Sequence, residues 1–222
     1  PVVMPWIDAV PAVLEAWNQG SEDGHAVADV LFGAVNPSGK LPTTYPRSAE
    51  DLPVAGHPER YPGTDEGDGY PVMRYGEGLR MGYRWYQSEG IEPRFAFGHG
   101  LSYTTFAVAG LSIDAGARPG SEPVAVRATV TNTGRRAGAE VVQVYLELPA
   151  AADEPPRRLV GFRKVLLEPG ESARVDVTLD PDASHHPLSV WSYAKGAFEV
   201  PEGTFVVHVG TSSAATSPAG TF

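Results

Sequence analysis

The chain has 222 residues with 27 acidic and 17 basic side chains, a formal charge of −10 at neutral pH. That acidity argues against nucleic acid or an anionic membrane surface as a partner, because both recruit proteins through cations, and no run approaches the roughly 20 apolar residues of a spanning helix. With no cysteine there is no disulfide, thiolate metal site or cysteine nucleophile; a 42% hydrophobic content supports a packed core, and 25 glycines with 21 prolines favour many short segments joined by turns over a helical bundle.

The chain opens on Pro1-Val2-Val3-Met4-Pro5, which is neither an initiator methionine nor a charged leader. The natural N-terminus is therefore expected to lie upstream. Residues 13–17 (VLEAW) read as a brief, mostly buried strand, and Asn18-Gln19-Gly20 as a turn. Residues 24–32 (GHAVADVLF) read as a helix, with Ala26, Val27, Val30 and Leu31 on one face. Ser21 is placed to cap it, Glu22 and Asp23 suit its positive end, and Gly33 is placed to stop it. A strand, a glycine turn and a helix make one α/β unit, which cannot bury both faces of a sheet. The rest of that layer is expected upstream of Pro1 or in another chain. This unit occupies residues 1–46.

Residues 47–105 read as a long irregular connecting segment. Pro53, Pro58, Pro62 and Pro71 alternate there with Gly56, Gly63, Gly67 and Gly69. A loop this long is usually functional or disordered. Residues 106–211 change texture. Residues 124–131 alternate with Val124, Val126, Ala128 and Val130 on one face. Residues 140–148 set Val142, Val144, Leu146 and Leu148 against Gln143, Tyr145 and Glu147. Residues 158–167, 173–179, 188–193, 197–200 and 203–210 supply further strands. About seven or eight strands over about a hundred residues is the scale of an immunoglobulin-like or fibronectin type III-like sandwich. Residues 212–222 are small and polar and are expected to form a flexible tail. The fold class is thus an α+β piece: a terminal α/β unit followed by an all-β sandwich.

Three motifs carry a resemblance. Residues 28–46 (ADVLFGAVNPSGKLPTTYP), 75–86 (YGEGLRMGYRWY) and 95–106 (FAFGHGLSYTTF) resemble, in order and spacing, the C-terminal part of the α/β sandwich domain of family-three glycoside hydrolases, the β-glucosidase type. Residues 158–170 (RLVGFRKVLLEPG) and 188–191 are similar to the fibronectin type III-like domain that follows it. The chain departs from the family pattern at residues 19–24, where a Gly-rich stretch is usual, and at Gln87, where Asp is usual. The resemblance implies a parent enzyme whose barrel supplies an Asp nucleophile and whose α/β sandwich supplies an acid/base Glu. Both lie upstream of the matched region, so no catalytic residue is expected here. The implied partners are that barrel, the remainder of the sandwich domain and a glycoside substrate.

Retaining glycoside hydrolysis needs two carboxyls about 5 Å apart. Glu22 and Asp23 fit helix-end electrostatics better than catalysis. Asp65, Glu66 and Asp68 lie between glycines and read either as a solvated loop or as substrate-binding residues on the rim of a sugar cleft. Glu77 reads as a buried hydrogen-bond anchor. His99, between Gly98 and Gly100, fits a tight turn whose imidazole bonds backbone carbonyls, since no G-x-S-x-G elbow exists to pair with it. His185-His186 has no third ligand at metal spacing, and neither Gly76-x-Gly78 nor Gly98-x-Gly100 precedes a helix pattern, so no metal or cofactor is expected. Trp6, Trp17, Tyr83, Trp85 and Tyr86 suggest packing between domains, with Arg84 as a carboxylate partner locking it. The competing reading is a free-standing carbohydrate-binding or interaction module of fibronectin type III type. It is disfavoured because residues 13–32 would then expose an apolar helix face.

Overall fold

The computed structural model describes residues 1–18, 20–116 and 120–222. Gln19, in the expected turn, lies outside the described residues. The first half holds helix α1 (Asp23–Leu31), a short hairpin of β1 (Thr64–Asp65) and β2 (Pro71–Val72), and helix α2 (Tyr83–Glu89). The second half holds β3 (Phe106–Asp114), β4 (Val124–Asn132), β5 (Gly138–Glu147), β6 (Arg158–Leu167), β7 (Ser172–Leu179), β8 (Val190–Ser192), β9 (Ala197–Glu199), β10 (Val206–Gly210) and β11 (Thr216–Thr221).

Two antiparallel sheets face each other. One runs β11-β10-β5-β6 and the other β3-β4-β7, while β8 and β9 form a separate hairpin. The alternation read from sequence becomes the core. Val124, Val126, Ala128 and Val130 of β4 meet Val142, Val144 and Leu146 of β5 and Val175, Val177 and Leu179 of β7, all buried. Register aligns these rows: Val126 sits opposite Val177, and Val124 opposite Leu179. Each fully buried Val or Leu contributes about 1.5–3 kcal/mol relative to exposure. Gly161 of β6 makes room for this packing, since a Cβ there would stand 2.5 Å from Val177 Cγ1.

Every member of the core cluster lies between Val124 and Val209. By contrast α1 contains no buried residue, and Leu31 and Phe32 at its end are 63% and 90% exposed. Gly33 follows with φ of +78°, the left-handed geometry that ends a helix without a Cβ penalty.

Several expectations are corrected. Residues 13–17 form no strand; Val13, Leu14 and Trp17 are exposed and Trp17 has φ of +53°. A strand exists only when a neighbour satisfies its backbone groups, and no described strand lies alongside. The helix cap is Glu22 and not Ser21, with no side-chain cap bond. Glu22 turns instead to His25 Nδ1, 2.6 Å away. The tail is no loose end: β11 pairs with β10 through Val206–Thr221 and Gly210–Thr216. Phe205 and Phe222 exchange backbone hydrogen bonds and stack at 5.0 Å. The connecting segment is less irregular than expected, because it contains α2 and the β1–β2 hairpin.

Candidate functional site

The first half holds an acidic hairpin and, separately, a seam of polar side chains that joins this half to the sandwich. In the hairpin, Asp65 closes the loop on itself. Its Oδ1 accepts the amides of Gly67 at 2.8 Å and Gly69 at 3.0 Å. Those amides, Gly67 first, hold its carboxyl below the usual Asp range. Glu66 is ion-paired with Arg74. Asp68 Oδ1 accepts the Tyr70 amide at 3.0 Å. All three acids are exposed, and Tyr70 beside them is 74% exposed. The structure thus brings Asp65, Glu66 and Asp68 together on one exposed loop, two of them engaged in shaping it.

Arg60 lies just before the hairpin in the chain. Its Nη1 donates to the Pro53 carbonyl at 2.6 Å, and its guanidinium lies 5.7 Å from the Trp85 ring centre. Glu77, expected as a hydrogen-bond anchor, is buried but faces Arg60 Nε at 3.8 Å, an ion pair and not a hydrogen bond. Trp85 Nε1 donates to the Asp51 carbonyl at 3.0 Å. Arg84 lies over the Tyr83 ring at 5.9 Å instead of at a carboxylate.

The seam begins at Asn36. Its Nδ2 donates to the Ala137 carbonyl at 2.8 Å, and its Oδ1 accepts from Ser102 Oγ and the Tyr103 amide. One side chain therefore joins the first, third and sandwich segments. Lys40 Nζ meets Glu140 Oε1 at 2.6 Å with both side chains nearly buried, and also donates to the Gly100 carbonyl at 2.9 Å. The Leu41 amide donates to the His99 carbonyl and the Gly98 amide to the Leu41 carbonyl, each at 2.8 Å. The His99 ring stacks on Phe95 at 5.4 Å, in place of the expected carbonyl bond. Burial, then the Lys40 charge, pushes its pKa below the usual His value.

Gln143 closes the seam. It is buried on the outer face of β5, where its Nε2 donates to Gly98 O at 3.1 Å and Thr211 O at 2.7 Å and its Oε1 accepts the Tyr145 hydroxyl at 2.6 Å. Tyr83 stacks on Phe97 at 4.9 Å and meets Tyr145 edge-on at 5.8 Å, so part of the aromatic set packs between segments as expected. Its hydroxyl accepts the Leu159 amide at 2.7 Å. Sequence reasoning missed Lys40–Glu140, Arg60 and Gln143. The available signal was polar residues inside apolar or motif stretches, which become buried only when both halves meet.

His185 and His186 stand apart from this region. His185 Nε2 is 3.3 Å from the Val160 carbonyl, and His186 stacks on Phe198 at 3.6 Å. Trp6 and Trp17 are half-exposed, with Trp17 edge-on to Tyr45 at 6.5 Å. No helix among the described residues is long and apolar enough to cross a membrane.

Residues 1–103, which contain both the hairpin and the first side of the seam, match the family model for the glycosyl hydrolase family 3 C-terminal domain, and residues 140–213 match that for a fibronectin type III-like domain. The chain carries a glycosyl hydrolase family 3 C-terminal domain followed by a fibronectin type III-like domain. Similar proteins include thermostable beta-glucosidase B of Acetivibrio thermocellus, 42% identical over 96% of this chain, and beta-glucosidase B of Emericella nidulans, 41% identical over 95%. This chain covers 27% and 25% of those two proteins, so it spans about a quarter of the length of the curated relatives it matches. Among solved structures, DesR, a beta-glucosidase from Streptomyces venezuelae, superposes over the whole chain with a TM-score of 0.88 at 36% identity, covering 27% of that structure. Beta-glucosidase 3B from Thermotoga neapolitana does so with 0.86 at 40%, covering 29%.

Proposed function

We propose that this chain is the C-terminal part of a retaining β-glucosidase-like hydrolase that removes terminal β-linked sugars from glycosides. In this reading the chain is structural and shapes the cleft, while an upstream barrel and the remainder of the α/β domain supply the chemistry. The observation that carries the reading is a match of nearly the full chain, at about 40% identity, to proteins named beta-glucosidases. The bare apolar end of α1 supports it, since Leu31 and Phe32 present a surface that a neighbouring layer would cover.

Retention requires a nucleophilic carboxylate and a proton-donating carboxyl on either side of the scissile bond. Neither role falls to Asp65, Glu66 or Asp68. Asp65 bends the loop, Glu66 is held by Arg74, and Asp68 keeps one oxygen for a sugar hydroxyl. They form the rim on which the leaving group rests, beside the exposed Tyr70 ring.

The test has two arms. The 222-residue chain alone is inactive on an aryl β-glucoside, and the same chain joined to the upstream region of its parent hydrolyses it with retention. A family-typical rate from the isolated chain, or a joined protein without glucosidase activity, overturns the proposal. In the joined enzyme Asp68→Ala raises KM more than it lowers kcat, the mark of a rim contact.

A further inference from the structure

The sandwich has an open flank. β6 ends the four-stranded sheet and β7 ends the three-stranded sheet, and among the described residues neither has a further strand beside it. Between them runs an open groove of about 540 Å³, with Val160 and Val177 on its floor. His185 Nε2 already stands 3.3 Å from the Val160 carbonyl. From Gly161 to Leu166, no side chain among the described residues bonds the β6 backbone. An edge strand turns alternate N–H and C=O groups outward, so this stretch offers a row of them.

The two rows of side chains on β6 narrow the class of partner. Phe162, Lys164 and Leu166 lie on the outer face, opposite Gln143, Val141 and Ala139 of β5. Phe162 is 65% and Leu166 72% exposed, although edge strands seldom leave large apolar side chains uncovered. Lys164 between them is held by Ser38 Oγ at 2.7 Å. Arg163 lies on the inner face, opposite the core residue Val142, and lines the groove. It has no hydrogen bond or ion pair among the described residues. Asp176 across the groove is committed to Arg127 at 3.2 Å and Arg174 at 3.1 Å. We infer that β6 accepts an added strand from an acidic peptide, with apolar side chains beside Phe162 and Leu166 and a carboxylate on Arg163. Main-chain hydrogen bonds would supply the affinity of such strand addition and the alternate side chains its specificity. A second copy of this chain fits worse, because antiparallel self-pairing centred here sets Arg163 and Lys164 against their own kind. The inference concerns this edge alone and does not rest on the hydrolase reading.

The experiment titrates a fluorescein-labelled heptapeptide of alternating Glu and Val, and its counterpart with Lys in place of Glu, with the 222-residue chain. Anisotropy of the acidic peptide rises saturably with a Kd below about 1 mM, and the peptide slows hydrogen exchange at alternate amides of β6. The basic peptide binds at least about tenfold more weakly, the scale of one charge-assisted hydrogen bond. Arg163→Glu reverses the order of the two peptides, a result that misfolding of the variant would not produce. Absent saturation, equal binding of both peptides, or an unchanged order in the variant overturns the inference, and Arg163 would then serve to keep the edge vacant. So does protection confined to another strand, or a chain that already pairs with itself and sediments as a dimer.

Discussion

Gln143 Nε2 donates to the Gly98 carbonyl at 3.1 Å across 45 residues of chain. The outer face of the four-stranded sheet is therefore the floor on which residues 83–98 lie, and the sandwich is built into the first half of the molecule. Gly98 sits at φ of +80°, and a Cβ there would overlap Gln143 Oε1. The contact needs both glycine's geometry and its lack of a side chain.

Removing either partner tests that joint. Gln143→Leu keeps the volume but strands the Gly98 and Thr211 carbonyls and the Tyr145 hydroxyl. Each stranded group costs about 1–3 kcal/mol, so urea unfolding is expected to show a loss of at least about 2 kcal/mol. Gly98→Ala loses more, from strain and overlap together. A change within about 0.5 kcal/mol, the range of an ordinary surface substitution, would place the seam outside the cooperative unit.

The Lys40–Glu140 pair spans the same seam and is almost closed to water. Breaking a buried pair leaves one charge uncompensated, at a cost of about 3–5 kcal/mol. Lys40→Met is thus expected to destabilise strongly, and Lys40→Met with Glu140→Leu to recover much of the loss. A double-mutant cycle measures the difference. A double variant whose loss equals the sum of the two single-variant losses would show that the pair does not couple.

Two histidines give the protein an acid-sensitive range. His99 is held neutral by burial and then by Lys40. His208 is held neutral by burial, opposed by Glu147 at 3.3 Å and helped by Arg157. A depressed folded pKa means that the unfolded chain takes up protons first. Stability is therefore complete above about pH 6.5 and declines as the pH falls below it. The decline is no steeper than about 1.4 kcal/mol per pH unit for each histidine. Urea unfolding at several values between pH 7.5 and 5 measures it, and His99→Phe, which keeps a ring on Phe95, flattens the slope. Stability that rises on acidification through this range would contradict the assignment.

The two halves differ in what protects them. With no buried residue in α1 and the whole core cluster in the sandwich, limited proteolysis is expected to cut within residues 1–35 while residues 106–222 survive. Cleavage tracks local opening, which is cheapest where few apolar contacts must break. Resistance throughout residues 1–100 would instead favour the free-standing module over a piece of a larger enzyme.

Strand alternation is a local property, so much of the sandwich was legible. Side chains of a strand point to opposite faces by turns, and β4, β5 and β7 place their apolar rows inward at the positions the sequence marks. Helix α1 was legible from its spacing to within a residue at each end. The acidic loop was legible as a loop, but its hairpin was not. Thr64–Asp65 and Pro71–Val72 are too short for any periodicity, and their pairing rests on Asp65 gathering two glycine amides. Helix α2 escaped notice because aromatic and polar residues alternate in it without one apolar stripe.

By itself the sequence determined the period-two core, the single α1 helix and the family motifs, since all three are written in near-neighbour spacing. The tertiary structure alone decided the fate of groups whose partners are distant in the chain. Gln143 and Tyr145, on the face that alternation assigns to water, are buried because residues 83–98 lie over them. Residues 216–221, with no strand pattern of their own, become β11 because β10 offers an unpaired edge. Residues 13–17, apolar enough for a strand, remain unpaired because no edge is offered to them. Backbone hydrogen bonds need a second segment, and only the folded chain says which segment arrives.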